Sequence, residues 1–420
     1  MAEKKIEKQQ LCIGLYVNLD LPWMDHPFLT SSFKIRSEKQ LQTLRSMRLP
    51  NLSYDPQKSD TQPIPLDTAK PIEEPQGLPA DDPLWEEKRK RIQVLKARRR
   101  KLNQSAGRYE KSVESTRKLM NLLFSAPEQA VHMADEVVGD MVNNLTQDTD
   151  VTMQLVNLKS KSESSYYHSL NVTALSLVLG RKLGLSDEQL HVLGLGALFH
   201  DLGHQQIPGR ILLKKKPLTP PEMKVYQRHA QLGVEMARKI GVLPEEAVAI
   251  IGQHHERLDG SGYPKGLKQE VGLLTRIVAI VDHYDELCNH TNPELSMSPY
   301  ETVSRMYSKE LPQFDKTILT TFIANLGVYP PGTVVRLSDR RIACVVTINA
   351  KDLLRPNVLV YEPEIPKEEA LILDLAEEEL SIAESCRRTE LTPAVLNYLN
   401  LSEYVTYFFD HVSDLEPVKS

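Results

Sequence analysis

Apolar positions recur along this chain with two different periods, helical and strand-like, and the changes of period divide it into regions. From about Ile6 to Asp55 a strand-like run, Leu11 to Val17, precedes a helical stretch, Lys39 to Met47, in which Leu41, Leu44 and Met47 share a face. This predicts a small α/β domain over residues 1–55. Seven prolines fall between Pro56 and Pro83. They prevent a continuous helix and predict an extended linker over 56–84. Residues 85–147 then read as a helical linker. From Val151 to about Leu326 the pattern is nearly all helical. Val172, Leu175 and Leu179 share one face, and Leu190, Leu193, Ala197 and Leu198 another. Glu245 to His255 and Leu273 to Leu287 repeat the style. The pattern then changes to short alternating runs: Thr333 to Leu337, Ile342 to Ile348 and Asn357 to Tyr361. These predict a strand meander, followed by further helical segments within 331–420. The class expected is mainly α, with a helical core over 148–330, a small N-terminal α/β domain and a short C-terminal β meander.

Composition narrows the partners. At 420 residues, two or three domains are expected. No run of eighteen apolar residues occurs, so no membrane insertion is expected, and Met1 to Gln10 lacks the apolar core of a secretory signal. Cys12, Cys288, Cys344 and Cys386 are scattered without CxxC spacing, which points to a reducing cytoplasm. A net charge of −5 argues against a nucleic-acid polymer as partner but leaves room for a small anionic ligand. The basic runs Lys88 to Arg91 and Arg98 to Lys101 have no interleaved aromatics for base stacking. They read as the solvated face of a linker helix whose apolar side carries Ile92, Leu95 and Leu102. Such helices pair as coiled coils, so a homodimer is an expected assembly.

The candidate chemistry lies in the helical core. His168, the pair His200-Asp201, His229, the pair His254-His255 and Asp282 all sit in or beside apolar helical runs. Polar groups placed there must be paired or ligated, because burying them alone is costly. Imidazole and carboxylate without thiolate suit iron, manganese, nickel or zinc. A His-Asp pair lets the imidazole hold one ion while the carboxylate bridges two. Two ions a few ångströms apart can generate a bridging hydroxide and stabilise both oxygens of a phosphoryl displacement.

These residues carry a resemblance. Phe199-His200-Asp201-Leu202-Gly203 with Ile207-Pro208, and the whole run His254-His255-Glu256-Arg257-Leu258-Asp259-Gly260-Ser261-Gly262-Tyr263-Pro264, resemble the motifs of the HD-GYP group of the HD phosphohydrolase superfamily. The block from Arg276-Ile277 to Asp285 and the stretch Asn325 to Gly332 extend the likeness over roughly residues 150–350. Gly14 to Val17 and Trp23 to Phe28 resemble a domain commonly placed before such cores. The resemblance implies hydrolysis of cyclic di-GMP to linear pGpG and onward to GMP. It implies two divalent ions, iron or manganese. One would take His168, His200, Asp201 and Asp282; the other Asp201, His229, His254 and His255. Gly262, Tyr263 and Pro264 would lie in the substrate-contacting loop.

The chain departs from the pattern in three places. His204 replaces the phosphate-contacting lysine and is expected to donate a proton or bind metal. Ser164 stands where some members carry a third-metal glutamate, so two ions are expected. Thr291 and Glu294 stand near positions usually basic, which leaves Arg210 and Lys214 as candidate phosphate contacts. The alternatives are another cyclic dinucleotide as substrate, or a catalytically weak signalling adaptor.

Overall fold

The computed structural model describes residues 4–22, 25–28, 30–49, 51–66, 83–146, 151–156, 164–214, 216–290, 292–349, 351–367, 370–401 and 405–411. The chain is mainly helical and divides into two compact units: residues 1–98 with 362–370, and residues 99–361 with 371–420.

The first unit carries a four-stranded antiparallel sheet of β1 (Lys4–Lys5), β2 (Tyr16–Asn18), β3 (Ser32–Lys34) and β4 (Ser53–Tyr54), in the order β1-β4-β2-β3. Helix α1 (Glu38–Ser46) starts at Ser37, whose side chain accepts the Gln40 amide, an N-cap that satisfies a free helix-end donor. Its Leu41 and Leu44 join Leu11, Leu15, Val17, Leu19 and Ile35 in one core. The strand expected over Leu11–Val17 begins only at Tyr16. Gly14 turns the chain at φ +96°, a backbone state that costs glycine nothing, and this ends any strand before it. Part of the expected linker folds onto this unit: the Asp60 amide donates to Gly14 and the Ile64 amide to Gln10. Residues 67–82 lie outside the described residues.

The expected linker helix is two helices, α2 (Pro83–Leu122) and α3 (Pro127–Thr146), broken just before Pro127. The side chains of Leu95, Leu102 and Arg98 to Lys101 lie outside the described residues. Lys88, expected on a solvated face, is buried, and its ammonium donates to the His26 carbonyl at 2.7 Å.

The second unit is built on β5 (Val151–Val156), α4 (Ser164–Lys182), α5 (Asp187–Phe199), α6 (Gly209–Leu212), α7 (Pro220–Gln227), α8 (His229–Ile240), α9 (Glu245–Gln253), α10 (Leu273–Cys288), α11 (Pro299–Ser308) and α12 (Lys316–Leu326). Helix α5 starts at a reciprocal Ser186–Gln189 capping box. Its Leu190, Leu193, Leu195, Leu198 and Phe199 are all buried, so apolar residues line nearly its whole circumference, as in a central helix. It packs on α4, α9 and α3, while α10 packs on α4 and α9. Each buried leucine stabilises this core by roughly 1.5–3 kcal/mol.

The predicted meander is real and larger than expected. Strands β6 (Val334–Leu337), β7 (Ile342–Thr347), β8 (Asn357–Val360), β9 (Ile372–Asp374) and β10 (Ile382–Cys386) form an antiparallel sheet in the order β10-β6-β7-β8-β9. Of the helices expected beyond it, the described residues show α13 (Pro393–Tyr398) and a 3-10 turn. Strand β11 (Thr406–His411) follows and pairs antiparallel with β5. Val151–Val156 is therefore a strand rather than part of the helical run. It is rich in β-branched residues, and its partner lies about 250 residues away, where no local pattern can show it.

Candidate metal centre

Five helices bring the predicted ligands together. His168 lies on the second turn of α4, His200 caps the C-terminus of α5, and Asp201 follows in the turn. His229 opens α8, His254 caps α9 with His255 next, and Asp282 sits in α10. Gly203 sets how closely this turn approaches α8. A Cβ there would lie 1.9 Å from the His229 carbonyl oxygen, so only glycine lets His200-Asp201 reach His229.

The side chains converge in two groups: His168, His200 and Asp282; and Asp201, His229, His254 and His255. The Nε2 atoms of His168 and His200 face each other at 3.1 Å, and those of His229 and His254 at 3.3 Å. Asp201 stands between the groups and turns one oxygen to each. Its Oδ2 lies 3.4 Å from His200 and 3.6 Å from His168. Its Oδ1 lies 3.7 Å from His229 and 3.8 Å from His254.

The outward nitrogens fix the rings. Nδ1–H of His200 donates to the Ala197 carbonyl at 2.7 Å, that of His229 to Tyr226 at 2.7 Å, and that of His254 to Ile251 at 3.0 Å. Each Nε2 then points inward and carries the lone pair of the neutral ring, the arrangement that outer hydrogen bonds give a metal-ligating histidine. His168 differs, because its Nδ1 donates to the Asp285 carboxylate at 2.7 Å. Imidazole pairs in lone-pair contact around a shared carboxylate fit a cation between them. Two buried atoms support this fit: His255 Nε2 and Asp282 Oδ2 find no hydrogen-bond partner among the described residues.

Electrostatics separates the groups. Burial disfavours the His168 imidazolium, but hydrogen bonds to Asp282 and Asp285 outweigh this and hold it well above its ordinary value. Burial likewise opposes His200, which Asp201 and Asp282 nonetheless raise to about 10. On the other side burial wins: His229 falls to about 4, His254 to about 3, and His255 well below its usual range. Asp201 and Asp282 are held well below ordinary carboxylates, their histidine neighbours outweighing burial.

The remaining predicted residues take distinct places. His204 Nδ1 is 3.2 Å from Asp201 Oδ2, and its buried Nε2 has no partner among the described residues. Its ring lies against His229 and Tyr226, with centroids 4.3 and 5.1 Å away. Tyr263 stacks on His255 with centroids 4.6 Å apart. Gly262 passes so close to the chain behind it that a Cβ would meet the Arg257 nitrogen and His255 oxygen at 2.4 Å. Pro264, at the exposed rim, follows a cis peptide bond. Lys214 is tied to Glu222 at 2.5 Å, and Arg210 is exposed on α6. Glu294 is exposed, and Thr291 lies outside the described residues.

Several functional positions went unread in the sequence. Glu256 is buried and accepts the Lys265 and Leu267 amides at 2.7 and 2.8 Å, which holds the 262–267 loop. Glu286 brings a carboxylate beside His255 and Asp282, and burial together with the Asp282 charge pushes it up to about 8. Asp285 carries His168. A usable signal was present: Asp282, Asp285, Glu286 and Asn289 recur at i, i+3, i+4 and i+7 on a helix otherwise buried.

A helical core with paired histidines and aspartates aimed at one point defines a protein of the HD-domain class, and residues 117–318 match the HD domain family. Residues 3–134 match a domain family of unknown function, DUF3391. The chain is 30% identical over 365 residues to a cyclic di-GMP phosphodiesterase of Pseudomonas aeruginosa, covering 85% of each chain. It therefore belongs to the HD-GYP family of HD-domain phosphodiesterases. Two shorter matches are to proteins also named as phosphodiesterases. A cyclic di-GMP phosphodiesterase response regulator of Xanthomonas campestris is 40% identical over 126 residues, 30% of this chain and 32% of that one. A 3'3'-cGAMP-specific phosphodiesterase 1 of Vibrio cholerae is 33% identical over 185 residues, 43% of this chain and 42% of that one. No helix among the described residues is long and apolar enough to cross a membrane.

Proposed function

We propose that this chain hydrolyses cyclic di-GMP to linear pGpG, and pGpG onward to GMP, at a centre of two divalent ions, iron or manganese. One observation carries the reading: Asp201 presents one carboxylate oxygen to each of two inward-facing histidine groups. His168, His200 and Asp282 would hold one ion and His229, His254 and His255 the other, with Asp201 shared. When bound, such ions activate the water nucleophile and neutralise charge on the phosphoryl oxygens.

The chain's own residues do the rest. The water oxygen bonds to phosphorus, the bond to the 3'-oxygen breaks, and the leaving oxygen takes up a proton. His204 is the proton donor of this reading, since its Nε2 is unpartnered beside the centre while Asp201 accepts from its Nδ1. Tyr263, stacked on His255, offers an aromatic face to a base, and Glu256 holds its loop. The reading further includes a homodimer through α2, as long helices with an apolar side pair. It also places the chain in the cytoplasm, in keeping with four free thiols. A second reading keeps the chemistry and changes the base. It is favoured by His204, which replaces a lysine, and by the likeness to a relative named for 3'3'-cGAMP.

The test is hydrolysis by protein purified without oxygen and loaded with Fe(II) or Mn(II), beside an Asp201→Ala variant. Turnover of cyclic di-GMP by wild type and none by the variant is the expected result. Turnover of 3'3'-cGAMP alone would move the conclusion to the second reading. Loss of neither activity in the variant would refute the site.

A further inference from the structure

Asp285 is the sole carboxylate among the described residues that supports a histidine of the centre from outside, and what holds Asp285 comes from the far end of the chain. Its Oδ2 takes the His168 Nδ1 proton. Its Oδ1 accepts two amide protons, from Asn171 Nδ2 at 2.8 Å and Asn289 Nδ2 at 2.9 Å. Both asparagines also bind the backbone at the start of β11. Asn171 and Asn289 each donate a second Nδ2 proton to the Val405 carbonyl at 2.8 Å. In return Asn289 Oδ1 accepts the Val405 amide at 2.7 Å, and Asn171 Oδ1 accepts the Tyr407 amide at 2.9 Å.

The strand therefore fixes each side-chain amide in the orientation that Asp285 requires. An asparagine can present its NH2 or its carbonyl. The backbone N–H groups of Val405 and Tyr407 demand the two carbonyls, so both NH2 groups must point to the carboxylate. Without the strand Asn289 loses both backbone partners of its amide, while Asn171 keeps only the Tyr109 hydroxyl on its carbonyl at 3.4 Å, so Asp285 is held by two loosely anchored NH2 groups. Tyr407 anchors this arrangement. It is fully buried, and its hydroxyl meets that of Tyr284 at 2.6 Å and reaches the Pro331 carbonyl at 3.1 Å. Tyr284 lies on α10 beside Asp285, so the anchor and the network share one helix.

We infer that residues 405–407 are positioning residues for the metal centre. Through Asn171 and Asn289 they lock Asp285, and through Asp285 they orient His168, so the His168 group is incomplete without the C-terminal strand. The inference rests on the metal-centre reading above. It predicts selectivity, because His229 and His254 give their outer hydrogen bonds to carbonyls three residues earlier in the chain, and neither bond involves the strand.

The experiment is Co(II) titration of the full-length apoprotein, followed by visible absorption. His168→Ala identifies the step that belongs to its group. Val405→Pro deletes one strand N–H and changes no side chain of the centre. Asn289→Ala removes the same link from the other side. Both variants are expected to weaken the His168 step by about 10–100-fold, the usual effect of losing an outer partner, and to leave the other step unchanged. Wild type with two steps and both variants indistinguishable from it would overturn the inference alone. Equal weakening of both steps would do so too, since it marks general damage. A wild type that takes up no Co(II) would overturn the metal-centre reading, and the inference with it.

Discussion

The two halves of the centre are built from the same residue types but held in opposite ways. His229 and His254 take their orientation from carbonyls three residues earlier in the chain, so each is set as its own helix end forms. His168 depends on Asp285, more than a hundred residues away, and Asp285 on two asparagines and the C-terminal strand. The charges follow the same division. Carboxylates raise His168 and His200, while burial lowers His229, His254 and His255. One half is therefore a local device and the other an assembly, and they should fail differently.

The largest effect is expected where the halves meet. Gly203→Ala would drive a Cβ into the His229 carbonyl and force the turn after α5 away from α8. Overpacking of this kind costs about 1–3 kcal/mol. It should lower the melting temperature and abolish hydrolysis together; a variant with full activity would show that the contact is not needed. Next in size, His168→Ala and His229→Ala should each remove one ion of two, measured as metal per chain by elemental analysis. Loss of both ions in either variant would show that the halves do not bind separately.

A smaller effect separates the kinds of support. Asp285→Asn should weaken binding in the His168 half by about 10–100-fold and spare the other half. Equal weakening in competition titrations with a chelator would erase the distinction drawn here. The smallest effect lies outside the centre. Burial, with Lys88 nearby, lowers His26 to about 4 from 6.5. Between those values the unfolded chain binds the extra proton, so this contribution is complete above pH 6.5 and is lost as pH falls toward 4. His26→Asn should flatten the melting temperature between pH 4 and 6.5 by a few degrees at most. An unchanged slope would remove His26 as a source of acid sensitivity.

Most of the helical core was legible because its cause is local. Apolar spacing on α5, α9 and α10 marks their buried faces, and the helices fall within a residue or two of the expected bounds. The clustering of the His and Asp candidates was legible for a related reason: polar groups at buried helix positions must be paired or ligated. Strand β5 was not, since its partner β11 is distant in sequence and a short apolar run cannot name its mate. The ion pair of Lys214 was not legible, because sequence shows a free cation and only the fold shows Glu222 beside it.

The sequence by itself determined the helices and the His and Asp candidates, and the Nδ1 bonds of His200, His229 and His254 are local, each reaching a carbonyl three residues earlier. Only the tertiary structure decided that Asp201 turns one oxygen to each group. It alone placed Asp285 behind His168 and let the last strand orient the amides that hold it. Those arrangements join segments far apart along the chain, and residue spacing carries no information about which distant segments meet.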